Sequence, residues 1–109
     1  MVLKIINDPI PFVLKAFEEL FPEILADIQY IDGLEGAGRT TFPDDGSTPL
    51  IDISTDIPLS ALPEILAHEL AHTARPNDEH GVEWEGAFNL LFDRAIELYE
   101  YNFTINKEN

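Results

Sequence analysis

All three histidines of the chain, His68, His72 and His80, lie within residues 67–84, AHELAHTARPNDEHGVEW. His68 and His72 are four residues apart, so on an α-helix they lie roughly 6 Å apart along the axis and project from the same face. Two imidazoles placed in this way can bind one metal ion at roughly 2.0–2.1 Å. The spacing therefore predicts that these two histidines are ligands of one metal ion.

Glu69 follows the first of these histidines and completes the pattern H-E-x-x-H. A glutamate in this position flanks the ion and can take a proton from a metal-bound water, as a general base. A catalytic zinc has three protein ligands and one open position, and His80 is the predicted third ligand. We expect Gly81 to give the returning chain conformations that are closed to other residues. Trp84 is predicted to pack against the helix that carries the ligands.

Other metal chemistries are compatible with some of these residues. A non-haem iron site uses two histidines and one carboxylate, and Glu83 or Glu85 could supply that carboxylate. Glu69 and His72 also have the Glu-x-x-His spacing of di-iron helical bundles, but the chain has no second copy of this pattern. With three histidines in one stretch, Zn²⁺ is the predicted cofactor.

Helical periodicity predicts three helices around this stretch. The first spans about residues 8–22. The second carries H-E-x-x-H; it is expected to start at Ser60, a good N-cap residue, and to stop before Pro76. The third starts at Val82 and has a strongly patterned apolar face.

Strand patterns occupy the middle of the chain. The segments RTTFP and LIDIST flank DDGST and predict a β-hairpin turned around Asp45-Gly46. In LIDIST, isoleucines alternate with Asp52 and Ser54, so we expect one buried face and one wet face. The glycine-rich segment before the hairpin, GLEGAG, is interpreted as a loop.

The order of these elements predicts the α+β class, with about three helices packed on a short antiparallel sheet. We assign residues 1–101 to a single domain and residues 102–109 to a flexible tail.

The composition excludes several classes of function. The 109 residues include 21 acidic and 6 basic side chains, for a net charge of −15, and no cysteine. An acidic chain is not suited to bulk binding of phosphate backbones, so no nucleic-acid partner is expected. Without thiolates, a bound metal must use nitrogen and oxygen ligands. We find no apolar run of membrane-spanning length and no secretory signal, and we therefore expect a cytoplasmic protein with no membrane partner.

The segments HELAH, at residues 68–72, and HGVEW, at residues 80–84, resemble the zincin metallopeptidases. More narrowly, they are similar to the small SprT-like and phage-type metallopeptidase domains, in which the third histidine stands in H-G-x-x-W. The resemblance covers roughly residues 40–95 in the order of elements. It implies a small zincin-like domain whose active-site helix carries H-E-x-x-H, with zinc bound by His68, His72 and His80 and Glu69 as the base. It also implies that LIDIST is the sheet edge beside the cleft, where an extended peptide could add as a strand.

These patterns predict a zinc-dependent metallopeptidase that acts on a peptide or protein substrate. Candidates for stabilising the oxyanion are Tyr30, Arg75, Tyr99 and Tyr101. The alternative is an acidic binding protein without catalysis, either a pseudo-protease with structural zinc or a mimic of nucleic acid. The sequence indicates neither the substrate nor the oligomeric state.

Overall fold

The chain forms one helix, then three strands, then two further helices, and the sequence pattern predicts this order of a helix, strands and two helices. The computed structural model describes residues 10–108, with side chains described for residues 10–101. The elements are α1 (Ile10–Leu20), β1 (Asp27–Ile31), β2 (Gly38–Thr41), β3 (Leu50–Ser54), a 3₁₀ turn (Leu59–Ala61), α2 (Leu62–Ala74) and α3 (Val82–Glu108). The predicted α+β class is confirmed. The expected start of the first helix, at residues 8 and 9, lies outside the described residues.

The sheet has the strand order β1-β3-β2. β2 and β3 form the predicted antiparallel hairpin, and Gly46 in its turn has a φ of 79°, a conformation that favours glycine. β1 and β3 are parallel, so the expectation of an antiparallel sheet is wrong for this pair. The chain leaves β1, passes to the far edge to form β2, and returns through the middle of the sheet as β3.

The central position of β3 corrects the expectation that LIDIST has a wet face. Asp52 and Ser54 are only 2% and 3% exposed. The Asp52 carboxylate accepts hydrogen bonds from Arg39 on β2 and from Gln29 on β1, at 2.8 Å and 2.7 Å. These hydrogen bonds, that from Arg39 above all, lower the pKa of Asp52 from its ordinary value. Side chains of the two neighbouring strands therefore cover the polar face of β3 and donate hydrogen bonds to its buried carboxylate.

The opposite face of the sheet packs against the helices and forms the core. Ile51 and Ile53 of β3 are fully buried there. The same cluster takes in the apolar faces of the three helices, with Val13, Ala16, Phe17, Leu66, Ala67, Leu70, Leu91 and Ala95. The core thus fixes α2 against the sheet and against α3.

The ends of α2 determine where its side chains lie. Ser60 is part of the 3₁₀ turn, and the N-cap is Ala61, without a side-chain cap. Pro63 occupies the first turn, where a missing N–H costs no hydrogen bond. The helix ends at Ala74, so the predicted stop before Pro76 is confirmed.

The last helix, α3, extends to Glu108. It therefore enters segment 102–109, for which the sequence predicts a flexible tail. Within the described residues, the helices are too short or too polar for any of them to cross a bilayer.

Candidate metal centre

The three histidines come together at the end of α2 and the loop that follows. Their ligand nitrogens all lie within 4.8 Å of one another, and the Nε2 atoms of His68 and His80 are 3.1 Å apart. Two nitrogens bound to one tetrahedral zinc at 2.0–2.1 Å are separated by about 3.3 Å. The spacing of the imidazoles therefore fits a common ion.

His80 reaches this position through an unusual backbone conformation. Its φ is 62°, and it is the one non-glycine residue with a positive φ among the described residues. This left-handed region costs most side chains about 1 kcal/mol or more. The expectation that Gly81 supplies the special conformation is wrong, because the strained backbone is that of His80 itself.

Gly81 has a steric role instead. The Asp78 carboxylate accepts a hydrogen bond from the main-chain N–H of Trp84, at 2.9 Å, and so caps the first turn of α3. A Cβ at position 81 would lie 2.1 Å from Asp78 Oδ1. Only glycine at position 81 lets the carboxylate close over the turn that presents His80. The sequence reasoning missed Asp78, since it stands outside the usual capping spacing.

Gly81→Ala is expected to displace the Asp78 carboxylate and weaken metal binding. Loss of the cap should cost about 0.5–2 kcal/mol of unfolding free energy, and loss of support for a ligand should lower zinc affinity roughly 10–100-fold. Urea unfolding and zinc calorimetry measure the two effects. The matched control is Gly86→Ala within α3, where a Cβ meets nothing within 4 Å; equal effects of the two variants would contradict the assigned role.

Trp84 forms a wall against all three histidine rings. Its ring centroid lies 4.7 Å from that of His68, 5.5 Å from that of His72 and 4.7 Å from that of His80. Its indole N–H donates to the main-chain oxygen of His68 at 3.3 Å, and its ring stacks on Phe88. The prediction that Trp84 packs against the ligand helix is confirmed. As the single tryptophan of the chain, it is also a fluorescence probe of the site.

Glu69 lies on the side of α2 that faces β2. It is 7% exposed, and the hydroxyl of Thr40 donates to its Oε1 at 2.6 Å. Gly38, on the same face of β2, leaves room for the side chain, since a Cβ there would stand 3.1 Å from Glu69 Cγ and Oε2. Sequence reasoning missed Thr40 and Gly38, because no local pattern shows which strand packs on α2.

Burial sets the protonation of the two helical histidines. It lowers the pKa of His68 and of His72 from the ordinary value, and the negative charge of Glu69 opposes the shift at both. Since burial disfavours the charged form, both rings are held as neutral imidazole. Neutral imidazole is the form that binds metal ions.

These shifts predict how the stability of the metal-free protein depends on pH. Because the folded-state pKa values lie below the ordinary 6.5, the unfolded chain binds more protons, and the unfolding free energy falls as pH drops below about 6.5. Urea unfolding between pH 7.5 and 5 measures the slope. Replacing His68 and His72 together with glutamine should flatten it over this range, and an unchanged slope would contradict the prediction.

The other predicted site residues lie elsewhere. Arg75 places its guanidinium over Phe21, and Tyr99 packs edge-on against Phe12. Tyr99 and Tyr101 are also over 20 Å along α3 from Trp84, at about 1.5 Å per residue. Tyr30 belongs to β1, at the opposite edge of the sheet from β2. No oxyanion-stabilising residue follows from these positions.

The group of converging ligand atoms contains no carboxylate within the described part of the chain. Glu83 and Glu85, the carboxylates of the iron alternative, are therefore not part of it. The residues that converge are the three nitrogen donors that the spacing predicts.

Comparison of the chain with models of protein families, with curated proteins and with solved structures gave no match in any of the three.

Proposed function

We propose that the chain is a zinc-dependent metallopeptidase, in which Glu69 is the general base for an attacking water. The observation that carries the proposal is that the ligand nitrogens of three imidazoles lie within 4.8 Å of one another. A buried carboxylate, that of Glu69, lies on the same turn of α2 as His68. Nitrogen donors without thiolate suit zinc, and three protein ligands leave a fourth position for water or substrate.

Glu69 and the three histidines have different roles in the proposed reaction. His68, His72 and His80 would hold the ion, which when bound lowers the pKa of its water and polarises the scissile carbonyl. Glu69 would accept the proton of the attacking water on its carboxylate and pass it to the nitrogen of the leaving amine. Because the Glu69 side chain is buried between α2 and β2, its carboxylate does not turn into solvent.

Among the residues that the structure describes, no strand pairs with the outer side of β2, and this free edge of β2 supports an extended peptide as the substrate. The main-chain N–H of Ser54 donates to the oxygen of Ala37, and hydrogen-bonded and non-bonded pairs alternate along an antiparallel ladder. Gly38 and Thr40 therefore point their main-chain N–H and C=O groups away from β3. A peptide strand can pair with these groups. β2 thus takes the role that the family resemblance gave to LIDIST, which lies in the middle of the sheet.

The arrangement of α2 and β2 also supports the resemblance to the zincins. An H-E-x-x-H helix packs beside an antiparallel edge strand, and the third histidine follows from the next loop. Membership of the SprT-like group and the cytoplasmic location remain predictions.

Zinc titration and a cleavage assay test the proposal together. Metal-free protein should show a Trp84 fluorescence change that saturates with zinc, and the zinc-loaded protein should cleave fluorescein-labelled casein until a chelator is added. Saturable zinc binding without cleavage would favour the alternative of an acidic pseudo-protease with structural zinc. Absence of saturable binding would reject the metal site and leave an acidic binding protein.

A further inference from the structure

We propose that Thr40 is a positioning residue, which holds the Glu69 carboxylate beside the free edge of β2. The inference rests on the proposed function, because it assigns Thr40 a task in the same reaction. It starts from the short hydrogen bond between Thr40 Oγ1 and Glu69 Oε1, at 2.6 Å.

The fold fixes the direction of the Thr40 side chain. Thr40 pairs with Ile51 of β3, and residues paired across a sheet point to the same face. Since Ile51 is a core residue, the Thr40 hydroxyl is directed at α2 and not at solvent. A β-branched residue in a strand has few rotamers, so the donor is held in place before any substrate binds.

One carboxylate oxygen of Glu69 accepts the hydrogen bond from Thr40, and the other is available to accept a proton. The Thr40 hydroxyl has a single proton, and it lies closer to Oε1, at 2.6 Å, than to the main-chain oxygen of Glu69, at 3.2 Å. Three side-chain torsions determine where the carboxylate oxygens of Glu69 lie, and the hydrogen bond to Oε1 restricts them. Oε2 remains the oxygen that can accept a proton.

The same residue faces the expected position of the substrate. The main-chain groups of Thr40 point to the free edge of β2, whereas its side chain reaches the base. A peptide paired with β2 would therefore be bound at the residue that orients Glu69. Loss of the hydroxyl should act on the reaction and not on metal binding, because the Thr40 hydroxyl is hydrogen-bonded to Glu69 and not to a histidine.

Thr40→Val, which keeps the shape and the strand preference, removes the hydroxyl. We expect unchanged zinc content, and kcat and kcat/KM for fluorescein-labelled casein both lowered roughly 10–100-fold, the usual effect of losing such a support. Thr40→Ser should restore both constants. The matched control is Thr41→Val, which removes a hydroxyl from the exposed face of the same strand and should behave as the wild type.

A second measurement needs no turnover. Acetohydroxamic acid binds zinc through two oxygens and gives a hydrogen bond to a neighbouring carboxylate, so its affinity for the zinc-loaded protein reports the placement of Glu69. Thr40→Val and Glu69→Gln should each weaken it about tenfold, and Thr40→Ser should not. Thr40→Ala serves as a second variant without the hydroxyl.

The outcomes separate the two hypotheses. Zinc-loaded wild type that cleaves nothing would reject the peptidase, and the hydroxamate affinities would then decide the role of Thr40. That role is overturned if Thr40→Val matches the wild type in hydroxamate affinity, if Thr40→Ser is as impaired as Thr40→Val, or if Thr41→Val has the same effect.

Discussion

Glu69→Gln is expected to leave zinc bound and to lower kcat by roughly two to four orders of magnitude. The amide has nearly the shape of the carboxylate and can still accept a hydrogen bond from Thr40, so the packing between α2 and β2 persists. It cannot take a proton from water. Zinc content by elemental analysis and kcat on labelled casein are the two measurements.

The control for this variant is Glu64→Gln. Glu64 lies in the first turn of α2, one turn before His68 on the same helix, and is exposed. Glu64→Gln removes the same charge but leaves the hydrogen bond between Thr40 and Glu69 intact, so activity should stay close to that of the wild type. Zinc-bound Glu69→Gln that cleaves at the wild-type rate would eliminate Glu69 as the base.

Removal of zinc is expected to lower the stability of the fold substantially. A ligand that binds only the folded state adds about 4 kcal/mol when its free concentration is 1,000 times Kd. For a domain of this size, that corresponds to a fall in Tm of roughly 15–25 °C on chelation. The effect is large because the ion would join α2 to the loop before α3, through ligands on both. Calorimetric scans with zinc and with chelator measure it.

His80→Asn is the informative variant for this experiment. Asparagine tolerates the left-handed backbone at position 80 better than most residues, so the loop is preserved while the imidazole is lost. We expect the variant to keep the Tm of the chelated wild type and to gain little from zinc. If zinc stabilised it as much as the wild type, the ion would be bound by the acidic surface and not by the histidines.

The sequence predicts those features of this protein that are local. His68 and His72 share a face because they are four residues apart, and Asp45-Gly46 turns a hairpin because glycine adopts a positive φ; neither needs the rest of the chain. The stop of α2 follows from Pro76 in the same way. These predictions concern spacing and backbone chemistry within a few residues.

Other features depend on how distant segments pack. Asp52 is buried because β3 lies between two strands, and the alternation of LIDIST alone fits an edge strand equally well. The contact between Thr40 and Glu69 joins residues 29 positions apart. The left-handed backbone of His80 lies between the Asp78 cap on α3 and the ring of Trp84. No pattern in the sequence indicates any of these three arrangements.

The left-handed backbone of His80 also restricts which amino-acid substitutions this position can accept during evolution. Residues that adopt such a φ with least strain are glycine, asparagine and aspartate, and aspartate alone among them offers a carboxylate. A histidine codon becomes an aspartate codon by one nucleotide change. That step would replace three nitrogen donors with two nitrogens and one oxygen, the ligand set that suits ferrous oxygenases. If the chain binds zinc as proposed, a single point mutation would therefore be enough to change its metal preference.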